Sequence, residues 1–218
     1  MGQANMDNTV QRLLFWIQEN APNCLIHLNE GASIKDIEAV EEDTGLPLPD
    51  DYQLFLTEHD GEGGAWMAIL GDGNQLLPCR SIVAQYKLDQ EIGQRIHDPQ
   101  METIEFWKDR TNSGVIMVEG PVKPLILHPK WLPFTCMNGN VFRYFDYDPA
   151  PGGVIGQIIE VDPENCSYEV LAENFSELIE TYLADLQNGI YKVDDEHFIE
   201  RVVEKEIQQG MPEWLKNI

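Results

Sequence analysis

The stretch "EEDTGLPLPDDYQLFLTEHDG", residues 41–61, holds seven carboxylates and no lysine or arginine, yet large apolar residues recur through it at helical spacing. Its centre, "LPLPDD", forces an extended turn, because each proline restricts its own backbone and that of the residue before it. Upstream, Ser33 is placed to cap a helix, with Asp36 three residues on in a capping-box-like position. Ile34, Ile37 and Val40 repeat along the buried side of that helix, and Gly45 ends it. Downstream, Asp50 is placed to cap a short helix that turns Tyr52, Phe55 and Leu56 inward and ends in turn chemistry at Asp60-Gly61. The acids between these positions are left to cap, to meet water or to meet a basic partner. Glu41, Glu42, Asp43, Asp50, Asp51, Glu58 and Asp60 are therefore candidate partner-binding residues. Catalysis would need two carboxylates whose surroundings push their pKa values apart, and nothing in this spacing does so.

The 218 residues are 43% hydrophobic, enough to bury one sizeable core. Fourteen basic residues stand against 38 acidic ones, a formal charge of -24. Such a surface repels phosphate backbones and anionic lipid headgroups, which argues against nucleic acid and membrane as direct partners and suits a basic protein. No run is long and apolar enough to span a bilayer, and residues 1–22 lack the basic start and small-residue cleavage site of a secretory signal. The expected location is the cytoplasm. Cys24, Cys79, Cys136 and Cys166 are far apart with no Cys-x-x-Cys pair, and no histidine pair has metal-ligand spacing, so neither a metal nor a cofactor is expected.

Along the chain, a first helix is expected from a cap at Asp7 or Asn8 to about Glu19, ending before Ala21-Pro22. "AWMAIL", residues 65–70, reads as a strand entering the core, followed by a turn over 71–74 and a helix from Ser81 to about Ile96. "SGVIMVEG", "KPLILHPKWLPF", "NVFRYFDYDP", "GVIGQIIEVD" and "CSYEVLAE" are short apolar runs bounded by turn residues, and their short connections favour antiparallel neighbours. Phe175, Leu178, Ile179, Tyr182, Leu183 and Leu186 mark the clearest helix, stopped by Gly189. A further helix is expected over about 196–209, within a C-terminal extension of residues 189–218. Helices first, strands in the middle and helices last predict one α+β domain over residues 1–188, with a mainly antiparallel central sheet flanked by helices.

"DYDPAPGGVIGQ", residues 146–157, places Asp146 and Asp148 before three glycines. A phosphate-cradling loop would open a helix, but this one opens into a strand pattern. A hairpin whose glycines take positive φ, and whose aspartates accept turn amides, is the better reading. An acid/base pair of Asp146 and Asp148 is the remaining catalytic option. His59 and His128 read as capping or packing residues. Trp131, close to Pro133, offers either an aromatic surface for a ligand or a piece of core.

Taken together these motifs resemble the SUKH superfamily, the Smi/Knr-like family of fungal cell-wall glucan-synthesis regulators and bacterial toxin-immunity proteins. The resemblance rests on Gly45, Leu46, Pro49, Tyr52, Phe55 and Gly61, on Trp131 and Pro133, and on Asp146, Pro149, Gly153, Gly156 and Gln157, in that order and over about residues 30–188. Asparagine is frequent in the family where Asp60 stands, and the segment from about 87 to 120 is longer than usual. The resemblance implies a non-enzymatic protein-binding role. Joined to the -24 charge, it leads first to an immunity protein that neutralises a basic toxin, such as a nuclease, through the acids named above and Trp131. The alternative is a regulatory or scaffolding module of cell-wall assembly.

Overall fold

The computed structural model describes residues 3–63, 68–96, 104–195 and 198–202. The chain opens with α1 (Gln3–Asn20), which starts upstream of the expected caps at Asp7 and Asn8 and buries Val10, Leu13 and Ile17. A single turn, α2 (Pro22–Leu25), follows with proline in the first turn, where its missing N–H costs nothing. In α3 (Ile34–Thr44) the Ser33 hydroxyl accepts from the Asp36 amide at 3.3 Å, and Gly45 ends the helix at φ 68°. Ile37 and Val40 are buried as expected; Ile34 is not, being 71% exposed on the first helical turn. In α4 (Asp50–Glu58) the cap position is Pro49, and Asp50 is already helical with no capping bond, which corrects its expected role.

Ala68, Ile69 and Leu70 are buried but lie at a turn rather than in a strand; residues 65–67 of that expected strand fall outside the described ones. Strand β1 (Gln75–Leu76), α5 (Cys79–Ile96), α6 (Ile104–Asn112) and β2 (Met117–Glu119) come next, then β3 (Trp131–Met137), β4 (Val141–Asp146), β5 (Gln157–Asp162), β6 (Ser167–Ala172) and α7 (Phe175–Gln187). Instead of a helix, residues 199–201 form β8 (Ile199–Arg201), which pairs antiparallel with β7 (Tyr191–Val193); the rest of the expected helix, beyond residue 202, is outside the described residues. Ile199 packs into the main core, and that anchor outweighs the helical pattern of its neighbours.

The main sheet runs β1-β3-β4-β5-β6-β2, antiparallel throughout except for the β2–β6 pair, which is parallel. The fold is α+β with a mainly antiparallel sheet. On one face Leu132, Phe134, Phe145 and Ile158 meet the helices, with Tyr52 at the centre. Its ring lies 5.0 to 6.0 Å from those of Phe55, Phe134, Phe145 and Phe175. On the other face Trp131, Tyr144, Ile159, Val161 and Tyr168 form a second core with Val122. Because both faces are covered, β4 is buried at every position and shows no alternation of apolar and polar residues.

Among the described residues three carboxylates are buried, those of Glu62, Asp89 and Asp146, and the first two brace the helical side and the second core. Glu62 sits between glycines and accepts the amides of Ile69 at 3.0 Å and Leu76 at 2.7 Å, fastening the loop that leads to β1. Burial pushes its carboxyl up from 4.5 to about 7, against the pull of those two amides. Asp89 on α5 accepts from Gln85 at 2.6 Å and from the Tyr144 hydroxyl at 3.3 Å, and burial lifts it to about 6. A carboxyl whose folded pKa is raised stabilises the protein most below its unfolded pKa, and that contribution is lost as pH rises through the folded value. The contribution of Glu62 therefore declines between about pH 4.5 and pH 7. Urea unfolding at mildly acidic and mildly alkaline pH is expected to show the wild type gaining up to about 3 kcal/mol over Glu62→Gln on the acid side. A stability gap that is flat with pH, or widens toward alkaline pH, contradicts this.

Candidate functional site

The β4–β5 hairpin is held by a buried polar network. The Asp146 carboxylate accepts the Trp131 indole N–H at 3.0 Å, the Asp148 amide at 2.9 Å and the Gln157 side-chain amide at 3.1 Å. Burial raises its pKa while those donors pull it back. Gln157 also donates to the Pro121 carbonyl at 3.0 Å and accepts the Val154 amide at 3.0 Å, so one side chain fixes both arms of the turn. At Gly153 an added Cβ would lie 2.6 Å from the Pro149 Cβ and 2.7 Å from Gln157 Oε1, and at Gly156 φ is 84°, a left-handed value. Asp148 is held below the usual carboxylate range, first by Lys123 Nζ at 2.5 Å, with His128 Nε2 at 3.2 Å beside it. These contacts are those of a supported turn. Asp146 is buried and committed to three donors, the turn-supporting arrangement expected of the hairpin.

Trp131 was open to two readings, and only one survives. At 1% exposure it belongs to the second core and presents no surface to a partner, which removes it from the partner-binding candidates. Pro133 lies in β3 where the register with β4 shifts between Pro133 and Thr135, a place that tolerates a residue without an N–H. His59 ends α4, its amide bonding to the Phe55 carbonyl at 2.8 Å, a capping role.

The turn between α3 and α4 is fastened in the same manner. Glu41 Oε1 accepts the Leu48 amide at 2.7 Å and the Gln53 amide side chain at 3.4 Å, so this acid holds the "GLPLP" turn from within. Asp51 reaches across 125 residues to accept the Ser176 amide at 2.9 Å and its hydroxyl at 3.1 Å, tying α4 to the first turn of α7. Asp60 accepts the Cys79 amide at 2.7 Å at the start of α5. Asp43 pairs with Lys87 at 3.2 Å, and Glu58 accepts from Gln11 at 2.7 Å. The acids of residues 41–61 thus point toward α5, α7 and α1 and do not share one face. Among the described residues, Glu42 and Asp50 are the two of this set with neither a hydrogen bond nor an ion pair.

The two motif regions meet. The Tyr147 hydroxyl donates to the Pro47 carbonyl, a contact between residues 100 apart in sequence. The α3–α4 turn and the β4–β5 hairpin therefore form one continuous face. It exposes Pro47, Asp50, Pro151, Val154 and Ile155, the last at 74%. Lys123, His128 and Lys130 lie around Asp148 of the same hairpin. Exposed apolar side chains on a hydrogen-bonded turn, with charged groups in the neighbouring segments, are of the kind that protein interfaces use. For Tyr147 the sequence carries one signal, an aromatic residue between two hairpin aspartates. A separate groove of about 600 Å³ between α1 and α7, lined by Arg12, Phe15, Trp16 and Gln187, lies away from both motifs.

With this geometry in view, comparison with known proteins is specific. The sequence pattern of the SMI1 / KNR4 family (SUKH-1) matches residues 31–181, a span that includes both signature loops. The chain is 24% identical to KNR4/SMI1 homolog 2 of Debaryomyces hansenii, over 87% of its own length and 37% of that protein. It is 25% identical to the glucan synthesis regulatory protein of Neurospora crassa, over 83% and 38% of the two chains. It is 24% identical to the cell wall assembly regulator SMI1 of Saccharomyces cerevisiae, over 83% and 40%. The chain spans about two-fifths of the length of the curated relatives it matches. Those relatives are named as regulators, and nothing among them favours the toxin-neutralising reading. No helix among the described residues is long and apolar enough to cross a membrane. By the match over residues 31–181, the chain belongs to the SMI1 / KNR4 family (SUKH-1).

Proposed function

We propose that this chain is a non-enzymatic regulatory or scaffolding module of the cell-wall assembly kind, which binds a protein segment on the face where the α3–α4 turn meets the β4–β5 hairpin. The observation that carries this reading is the Tyr147–Pro47 link, which joins the two motif regions of a family whose relatives are named as glucan-synthesis and cell-wall regulators. Family membership alone does not identify a partner, so the face is argued from its own chemistry. Asp50 and the open Ile155 side chain are the contact groups, and the -24 charge of the chain steers a basic segment toward them. The immunity reading gives way to this one.

The test is co-capture from the cells that make the protein. The tagged wild-type chain is compared with a double variant, Asp50→Lys and Ile155→Glu, whose circular dichroism and unfolding midpoint match the wild type. The expected result is a defined partner retained by the wild type and reduced about tenfold in the variant, with capture weakening as salt rises through a few hundred millimolar. Equal retention by both chains rejects this face.

A further inference from the structure

Among the described residues one edge of the main sheet carries no further strand, although the Ile116 amide just before it bonds to the Arg110 carbonyl at 3.4 Å. Strand β2 is the last in the order β1-β3-β4-β5-β6-β2 and pairs only with β6, through the parallel register Met117↔Ser167, Val118↔Tyr168 and Glu119↔Glu169. Met117 donates its amide to the Cys166 carbonyl at 2.9 Å, so the groups of Met117 face β6 and those of Val118, one residue on, face away. Among the described residues Val118 has no backbone partner on that outer side. Met117 and Val115 are exposed beside it.

Charge is laid across the sheet toward this edge. Arg143 stands opposite Glu160, Glu160 opposite Glu169, and Glu169 opposite Glu119, so four strands contribute one row of side chains. Arg143 Nε donates to Glu160 Oε2 at 2.9 Å, which satisfies the inner end. Glu169 lies between two carboxylates; burial first, then Glu119 and Glu160, raises its pKa, while Arg201 and Arg143 oppose that rise. Opposite charges directly across a strand pair stabilise it, and like charges oppose it. The outermost position, Glu119, is exposed and is where a cation from a further strand would fall.

We infer that β2 is a docking edge for an extended segment of a protein partner, added as a seventh strand, with a lysine or arginine on the face of Glu119 and alternate apolar residues on the face of Val118. Edges are blunted by short strands, charge, proline or a covering element; β2 is three residues long and carries Glu119 as its one charge, so it favours a strand that brings a cation to that position. Main-chain bonds to Val118 supply affinity, and the row ending at Glu119 supplies selectivity for basic strands. This edge is distinct from the hairpin face, and neither proposal requires the other.

The test titrates the folded chain with a synthetic eight-residue peptide alternating lysine and valine, and follows amide shifts and hydrogen exchange by NMR. Saturable shifts centred on residues 116–120, with slowed exchange of the Val118 amide, are expected. Glu119→Lys is expected to weaken binding about tenfold, through a lost attraction and a new repulsion. Val118→Pro removes the outward N–H while leaving the β6 ladder, and is expected to weaken it as well. Glu164→Lys, the same charge change on an exposed turn, is expected to leave affinity within about twofold. The inference fails if Glu119→Lys and Glu164→Lys weaken binding equally, since long-range attraction alone would then account for it. It fails too if the shifts map elsewhere, or if the peptide does not bind.

Discussion

Tyr52→Ala is expected to destabilise the chain by about 3–5 kcal/mol, whereas Tyr52→Phe is expected to leave stability equal or higher by about 1 kcal/mol. The ring is fully buried and contacts four aromatic neighbours from α4, β3, β4 and α7, so its removal opens a cavity at the junction of helices and sheet. The hydroxyl is different, because among the described residues it finds no hydrogen-bond partner. Burial first, then the acidic side chains nearby, among them Asp60 and Glu62, pushes the phenol far above its ordinary pKa and keeps it neutral. Deleting that oxygen removes an unsatisfied polar atom and keeps the packing. Urea unfolding of the three chains decides the matter; a loss of more than about 1 kcal/mol in Tyr52→Phe would show that the hydroxyl is paired.

The second large effect is at Asp146. Asp146→Ala leaves the Trp131 indole, the Asp148 amide and the Gln157 side chain without their shared acceptor, three donors in a region closed to water. At about 1–3 kcal/mol for each stranded buried group, partly relieved by relaxation of the exposed turn, the expected loss is about 3–5 kcal/mol. Asp146→Asn keeps one acceptor oxygen and is expected to lose less. The Trp131 indole N–H resonance reports the change directly, since in Asp146→Ala it should shift and exchange with solvent much faster. Unaltered indole exchange in a folded Asp146→Ala chain would show that the network holds without its centre.

These two residues also mark how far the sequence can be read. Tyr52, Phe55 and Leu56 were legible as an inward stripe because helical spacing is local, as was the Ser33–Asp36 cap, whose partners lie three residues apart. The hairpin role of Asp146 was legible from the glycines and proline that follow it. Its bond to Trp131 was not, because register between β3 and β4 sets that contact. Asp51 shows the limit most plainly. It sits beside Asp50 in an acid-rich stretch and looks equally free, yet it ties α4 to Ser176, and only the tertiary fold distinguishes the two. Glu62 went unread because a lone acid among glycines resembles a solvated loop; the clue was a run of apolar residues after it whose amides needed an acceptor. Strand β8 was misread as helix because the core that anchors its Ile199 is built from residues far from it in sequence.

If the proposal holds, the α3–α4 turn and the β4–β5 hairpin act together as one partner-binding face. Hydrogen–deuterium exchange of the chain alone, and of the chain saturated with the partner captured from its cells, tests this most directly. Slowed exchange is expected in both the 46–51 and 150–156 segments, lost together in the Asp50→Lys, Ile155→Glu variant. Protection of one segment without the other, or confined to the α1–α7 groove or to β2, would contradict it.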